Sequence, residues 1–361
     1  MGNKLITLYL CKMFFYQILN AAISKKTDRP LMQKEVYAVS SLLQQYLVAI
    51  GRDIVLPVKY SDLFHYRYTD AIKDENGKHT HWENVVYDKA IKNRLCHQLL
   101  ATYYLLKNII KETHVIDAIH FCEFANSMPF RITVSNTLNG AIDFFYVKAA
   151  DASRIYGLEL EHLLSPNRVV FFYHDNTLVE EHIEGIPGDV ALQISKDFNN
   201  EENKQLAEAF IRFNERCFAR LLGDMRSYNF VLINSECEGY RFRAIDFDQQ
   251  SYEGKLHLYL PQFYKENYQY FTLCEGTFEN TAIEKIREAE RIFLKGLVKN
   301  CKQRLVALIS LMQQDEISDN YKVISLRNEL NSYFKTNNFS HCISMGDLVK
   351  QQLKQLLAIE L

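Results

Sequence analysis

The chain has few of the residues that mark disordered, secreted or nucleic-acid-binding proteins. Its 361 residues include only 6 prolines and 13 glycines, too few for long flexible linkers. Its formal net charge is −2, and this disfavours a nucleic-acid-binding protein because such proteins need an excess of positive charge. Its 8 cysteines are widely scattered without a Cys-x-x-Cys pair. This scatter predicts reduced thiols in a cytoplasmic protein rather than disulfides or a zinc site.

The chain also lacks a long uninterrupted apolar run. The most apolar stretch near its start, residues 5–22, is interrupted by Lys12, Gln17 and Asn20. No signal-peptide cleavage pattern follows, and a membrane span needs about 20 apolar residues in a row. We therefore expect a partly buried helix here and no stable membrane insertion, with membrane association as the alternative.

The composition provides ample material for buried cores. Hydrophobic residues make up 48% of the chain and charged residues 24%, an ordinary globular balance. The length predicts two or three domains, or one two-lobed enzyme with an extension. Residues 1–125 have mixed patterns: helical spacing over 36–50 before Gly51, an Asn-Gly hairpin signal at 76–77, and a second helix near 89–111. We interpret this region as an N-terminal extension of mixed α/β structure.

The middle of the chain, residues 126–185, has a different order of patterns. Two strands are predicted at residues 130–135 and 142–149. A helix follows, capped by Asp151 or Ser153, and two more strands are predicted at 168–173 and 177–182. The remainder, residues 186–361, is predicted to be mostly helical. Its best amphipathic helix covers 201–221, two strands cover 230–234 and 240–245, and more helices follow from 280.

One loop and the strand after it contain the residues with the clearest chemical pattern. The loop reads Gly-Asp-Met-Arg-Ser-Tyr-Asn from Gly223 to Asn229, so that Asp224 precedes Asn229 by five positions. Asp246 then closes an apolar strand. Carboxylates and an amide can hold magnesium, and a further carboxylate can orient a hydroxyl group for phosphoryl transfer. Because Gly, Asp and Asn are also common turn residues, a capped turn is the alternative for the loop alone.

Together these segments resemble the protein-kinase-like superfamily over about residues 130–275. The loop matches the D-x-x-x-x-N loop of protein kinases and is similar to the G-D-x-x-x-x-N loop of aminoglycoside and choline phosphotransferases and to the loop of lipid kinases. The resemblance implies an α+β, two-lobed protein-kinase-like fold, with an N-lobe at 126–185 and a mostly helical C-lobe at 186–361. It implies ATP and Mg²⁺ as cofactors.

The resemblance also implies residue roles. Asp224 is the expected catalytic carboxylate, and Asn229 and Asp246 are the expected metal ligands. Lys148, at the end of an apolar strand, is the expected clamp on the ATP phosphates. Asp248 is expected either to be a second metal contact or to hydrogen-bond its own loop.

Two further sets of contacts are implied. Glu159, preferred over Glu161, is the expected helix partner of the lysine, with a solvated helical charge as the alternative. The segment from Glu181 to Ile183 matches the strand-to-hinge segment of aminoglycoside-type phosphotransferases, and its backbone is therefore expected to contact adenine.

Three features depart from the superfamily pattern. Leu222 stands where a supporting histidine is usual, the turn at 135–140 has one glycine instead of a glycine-rich loop, and no Ala-Pro-Glu segment follows Asp248. These departures argue against an ordinary protein kinase. We expect an atypical kinase or phosphotransferase acting on a hydroxyl of a small molecule or protein. Nucleotidyl transfer and a catalytically inactive, pseudokinase-like scaffold that binds nucleotide are the alternatives.

Overall fold

A computed structural model describes residues 34–74, 77–109, 113–235 and 239–361, and the chain divides into two compact units. The first, the sheet unit, comprises the described residues up to Ala150 together with Val170–His182. The second, the helical unit, comprises Asp151–Val169 and Ile183–Leu361. The structure is of the mixed α and β class. The helix predicted within 5–22 lies outside the described residues.

The sheet unit is built around a seven-stranded antiparallel sheet. Its strands are β1 (Tyr68–Lys73), β2 (His79–Val86), β3 (His114–Phe121), β4 (Phe130–Asn136), β5 (Ile142–Ala149), β6 (Phe171–His174) and β7 (Thr177–Glu181). They lie in the order β1-β2-β3-β4-β5-β7-β6. The predicted boundary at residue 125 falls between β3 and β4, which pair directly, so the strands of the expected extension continue into those of the expected N-lobe.

One face of this sheet forms the core of the unit. Alternate residues such as Ile132, Phe145 and Val147 are fully buried there, as the two-residue period of a strand requires. The neighbouring helices are α1 (Ser41–Ala49) and α2 (Lys89–Lys107). The predicted start of α1 at residue 36 was wrong, because the Ser40 hydroxyl accepts a hydrogen bond from the Leu43 N–H and caps the helix there.

The helical unit combines seven described helices with a small antiparallel sheet in the order β10-β9-β8. The helices are α3 (Ala152–Leu164), α4 (Gly188–Ile194), α5 (Asn200–Ala219), α6 (Tyr268–Thr277), α7 (Asn280–Met312), α8 (Asn320–Phe334) and α9 (Met345–Leu357). The strands are β8 (Ile186–Pro187), β9 (Phe230–Ser235) and β10 (Gly239–Ala244). None of the described helices, in either unit, is long and apolar enough to cross a bilayer.

Helix α5 leads directly into the loop with the predicted site. It begins with a capping box in which Asn199 and Glu202 satisfy each other's backbone N–H groups. Leu206, Phe210 and Phe213 line its buried side, which confirms the predicted amphipathic helix. The helix ends at Ala219, and Leu221 then takes a left-handed conformation at φ 55°, which turns the chain out of the helix.

A buried ion pair joins α3 to the end of α5. Glu161 and Arg220 are 2% and 1% exposed, and their side chains form a salt bridge. Asn167 donates a further hydrogen bond to Glu161 at 3.1 Å. Burial alone would raise the pKa of Glu161, but the Arg220 charge and the hydrogen bonds outweigh it and lower the pKa below its ordinary value.

Glu161→Gln is expected to lower the free energy of unfolding at pH 7 by about 3–5 kcal/mol, because the buried Arg220 charge loses its partner. The folded-state pKa of Glu161 is lowered, so its contribution is present above the unfolded pKa and is lost as the pH falls through the folded pKa. Urea unfolding at pH 7 and below pH 4 should therefore show a difference between variant and wild type that shrinks in acid.

Glu208→Gln is the matched control. Glu208 pairs with Arg212 in a partly exposed position on α5, and loss of such a pair should change the free energy of unfolding by less than about 1 kcal/mol. Equal effects of the two variants at pH 7 would contradict the importance given to the buried pair.

Candidate functional site

The loop from Leu221 to Asn229, called the aspartate loop below, is held by hydrogen bonds from distant segments. Gly223 N–H donates to the Gln249 carbonyl at 3.2 Å, and Asp224 N–H donates to the Leu258 carbonyl at 2.9 Å. Asp224 has a left-handed backbone with φ 58°, a conformation that Asp tolerates better than most residues. The conformation and orientation of the loop therefore depend on the fold of the chain after β10.

The three residues central to the predicted site lie together at one end of the small sheet. The Asn229 amide donates from Nδ2 to the Asp224 carbonyl at 2.7 Å and to Asp224 Oδ2 at 3.3 Å. The backbone N–H of Ile245 donates to the Asn229 carbonyl at 3.0 Å, which places Asp246 one residue away. The structure thus joins Asp224 to Asn229 by a side-chain contact and Asp246 to Asn229 through the Ile245 backbone; these three residues of the helical unit are called the cluster below.

Arg226 is a site residue that the sequence interpretation missed. Its Nε donates to Asp224 Oδ1 at 2.7 Å, and its guanidinium also pairs with Glu266 at 3.1 Å and lies over the Tyr264 ring. Burial opposes the charge of Arg226, but the neighbouring Asp224 outweighs it and raises the pKa of the guanidinium. The sequence signal that could have indicated it is its position two residues after Asp224, between the aspartate and Asn229, where the pattern allows any residue.

Arg154 is the second missed residue, and it comes from α3. Its Nη1 nitrogen donates to Asp248 Oδ1 at 2.7 Å and to Asp246 Oδ1 at 3.1 Å. The arginine side chain is 2% exposed, that of Asp248 8% and that of Asp246 31%. The buried guanidinium therefore supplies the positive charge that two adjacent carboxylates need.

Helix α3 packs closely against the segment that holds these carboxylates. The Ser153 hydroxyl is 3.2 Å from the Asp248 carbonyl and 3.2 Å from the Gln250 carbonyl. A Cβ on Gly157 would lie 3.0 Å from the Cβ atoms of Phe247 and Gln250, so only glycine allows this approach without adjustment. The helix and the segment after β10 therefore form one packed piece.

Asp246 and Asn229 carry the kinds of oxygen that a magnesium ion takes, and Asp248 is less available to one. Magnesium takes carboxylate and amide oxygens, usually with substrate phosphates. Asp248 is buried, its Oδ1 bonds Arg154, and its backbone carbonyl accepts from Ser153. These contacts favour the second of the two expected roles of Asp248, a hydrogen-bonding role within its own loop, over a metal contact. Among the described residues, no group of three His, Cys, Asp or Glu side chains is arranged to hold a metal.

Comparisons with known proteins leave the function to be argued from this geometry. No known protein-family model matches the chain, and no curated protein matches its sequence. The resemblance to kinase-like enzymes therefore depends on the residues themselves.

Other predicted residues have definite partners within their own units. Lys148, in the sheet unit, pairs with Glu180 at 2.9 Å, and both side chains are buried. Glu159, in the helical unit, is fully buried and pairs with Arg304. A salt bridge thus shows that Glu159 is not a solvated helical charge, and its pairing with Lys148 stays a prediction.

The expected adenine-contact segment begins at the end of β7. The backbone N–H of Glu181 donates to the Val170 carbonyl at 3.1 Å, and Glu181 Oε1 accepts from the Val170 N–H at 2.9 Å. This N–H of Glu181 is thus used in strand pairing. Ile183 is buried, and its contact with adenine stays a prediction.

Leu222 provides a different support from the histidine usual at its position. It is 1% exposed and pairs as an isolated antiparallel bridge with Gln250. The Gln250 amide donates from Nε2 to the Arg220 carbonyl at 2.6 Å. The start of the aspartate loop is therefore held by backbone pairing and by a buried amide.

Asn229→Ala is expected to lower the free energy of unfolding by about 1–2 kcal/mol, because the Asp224 carbonyl loses its donor in a partly buried site. Urea unfolding measures the change. Asn234→Ala is the control, since Asn234 lies exposed on the same hairpin and its change should stay within about 0.5 kcal/mol. Equal values for both variants would show that the amide of Asn229 does not hold the loop.

Proposed function

We propose that the chain is an atypical, kinase-like phosphotransferase that transfers the γ-phosphoryl group of ATP to a hydroxyl group of a small molecule or protein. The observation that supports this most directly is the cluster of Asp224, Asn229 and Asp246, joined by the Asn229 amide and the Ile245 backbone. The sheet unit contains the four strands expected in the N-lobe, whereas α3, also expected there, belongs to the helical unit with the expected C-lobe.

Asp224 is suited to act on the acceptor. Its side chain is one-third exposed and is oriented from two sides, by Arg226 Nε at 2.7 Å and by Asn229 Nδ2 at 3.3 Å. A carboxylate held in this way can orient the acceptor hydroxyl and receive its proton as the phosphoryl group is transferred. Arg226 would orient Asp224 and add positive charge beside it.

Asp246 and Asn229 would hold the magnesium ion, which neutralises phosphate charge when it is bound with ATP. The Asp246 side chain keeps 31% of its surface exposed although Arg154 contacts it, so it is accessible from solvent. Lys148 would bind the phosphates, and the segment from Glu181 to Ile183 would contact adenine, as the resemblance implies.

Asp224→Asn is expected to reduce release of ADP from ATP by about 100-fold or more, because a general base of this kind contributes about 10²–10⁴ to the rate. Asn also tolerates a left-handed backbone, so the fold should persist, and circular dichroism checks this. Asp197→Asn, an exposed acid after α4, is the control and should keep wild-type turnover. Unchanged turnover of Asp224→Asn would contradict the assigned role.

The same reaction mixture distinguishes phosphoryl from nucleotidyl transfer. Label from γ-labelled ATP should appear on the acceptor, and label from α-labelled ATP should remain in ADP. Transfer of the α-label to the product would replace the proposed reaction with nucleotidyl transfer.

A scaffold that binds nucleotide without catalysis is the second candidate. The contact of Arg154 with Asp246 and Asp248 favours it, because part of the negative charge available to a metal is already neutralised. In a thermal-shift assay the phosphotransferase should be stabilised more by ATP with magnesium than by ATP alone. Stabilisation that does not depend on magnesium, without turnover, would favour the scaffold.

A further inference from the structure

The carboxylate pair after β10 contains its own cation. Asp246 and Asp248 carry two negative charges between them. The positively charged guanidinium of Arg154 contacts Asp246 at 3.1 Å and Asp248 at 2.7 Å. Protein kinases bind two magnesium ions at the corresponding aspartate and asparagine. We infer that Arg154 takes the place of one of these cations, so that the site binds a single divalent ion through Asp246 and Asn229. This inference rests on the proposed function for the identity of the site.

The contacts of Arg154 engage the oxygens that a second metal ion would need. A single guanidinium nitrogen of Arg154, Nη1, donates to the Oδ1 atoms of both carboxylates. Asp246 Oδ1 accepts in addition from the Asp248 backbone N–H at 3.1 Å. A metal ion at these oxygens would have to displace a hydrogen-bonded guanidinium or lie against its positive charge, and both are unfavourable.

The guanidinium is also firmly placed and permanently charged. Arg154 is 2% exposed and lies in the first turn of α3, where Asp151 caps the helix and Ser153 contacts the Asp248 and Gln250 carbonyls. The close packing of Gly157 on Phe247 holds the next turn of the helix in place. Because arginine is not deprotonated in proteins, the positive charge of Arg154 competes with a second metal ion at every working pH.

The two carboxylates differ in a way that selects one for the metal. Asp248 is 8% exposed and has the shorter contact with Arg154, whereas Asp246 is 31% exposed and has the longer one. Asp246 also directly follows Ile245, whose backbone N–H donates to the Asn229 carbonyl at 3.0 Å. Asp246 is therefore the carboxylate of the single metal site, and Asp248 is the partner of Arg154.

Manganese binding tests this inference without relying on activity. Mn²⁺ bound to the full chain is counted by electron paramagnetic resonance, with and without a non-hydrolysable ATP analogue. The wild type is expected to bind one equivalent at this site. Arg154→Gln is expected to bind Mn²⁺ at least about tenfold more tightly or to bind a second equivalent, because a nearby positive charge is removed. Asp246→Asn should abolish the wild-type equivalent.

Arg216→Gln is the matched control. Arg216 is likewise a buried arginine of the helical unit, and it pairs with Glu290 at 2.9 Å. Its substitution should leave Mn²⁺ stoichiometry and affinity unchanged, so that a gain seen only with Arg154→Gln is assigned to the carboxylate pair.

A second variant covers the case in which Arg154→Gln does not fold. Arg154→Gln combined with Asp248→Asn removes one charge of each sign and leaves Asp246 in place, and it should bind one Mn²⁺ at least as tightly as the wild type. Two equivalents in the wild type, unchanged binding in a folded Arg154→Gln, or weaker binding in the double variant would each overturn the inference. If the wild type binds one Mn²⁺ and never releases ADP from ATP, the proposed function fails while this inference stands.

Discussion

The candidate site depends most on the placement of one positive charge, the guanidinium of Arg154, against the carboxylates of Asp246 and Asp248. Two adjacent acids in a largely buried segment would otherwise repel each other and lose hydration. The contact ties α3 to the segment after β10. The Gln249 carbonyl and the Gln250 side chain of that segment in turn hold the start of the aspartate loop, so the position of Asp224 depends indirectly on Arg154.

Arg226 makes the same kind of contact with a second pair of acids, Asp224 and Glu266. It joins Asp224 and Glu266 and stacks on Tyr264, whose hydroxyl donates to the Leu258 carbonyl. Each arginine thus contacts two acidic side chains, and each set of one arginine and two acids has a formal net charge of −1. The side chains of both groups are therefore held by contacts within the chain. Such preorganisation is what phosphoryl transfer requires, because the protein contributes mainly position and charge.

The sequence predicted the local elements well and the side-chain partners poorly. Strand β5 was predicted at its observed bounds, and α5 was predicted within two residues, because two-residue and 3.6-residue periods are local properties. The pairing of Arg154 with Asp248 joins residues 94 positions apart, and no local pattern records it. The order of β1, β2 and β3 in one sheet with β4 was missed for the same reason, since strand pairing is a non-local contact.

The most direct test of the central claim is a crystal structure of the chain with Mn²⁺ and a non-hydrolysable ATP analogue. Phosphoryl transfer at this site predicts one anomalous Mn²⁺ peak at ligand distance from Asp246 and Asn229, with the γ-phosphate facing Asp224. Arg154 should remain in contact with Asp248. Absence of metal and phosphate from the cluster of Asp224, Asn229 and Asp246, with nucleotide bound elsewhere or not at all, would contradict the account.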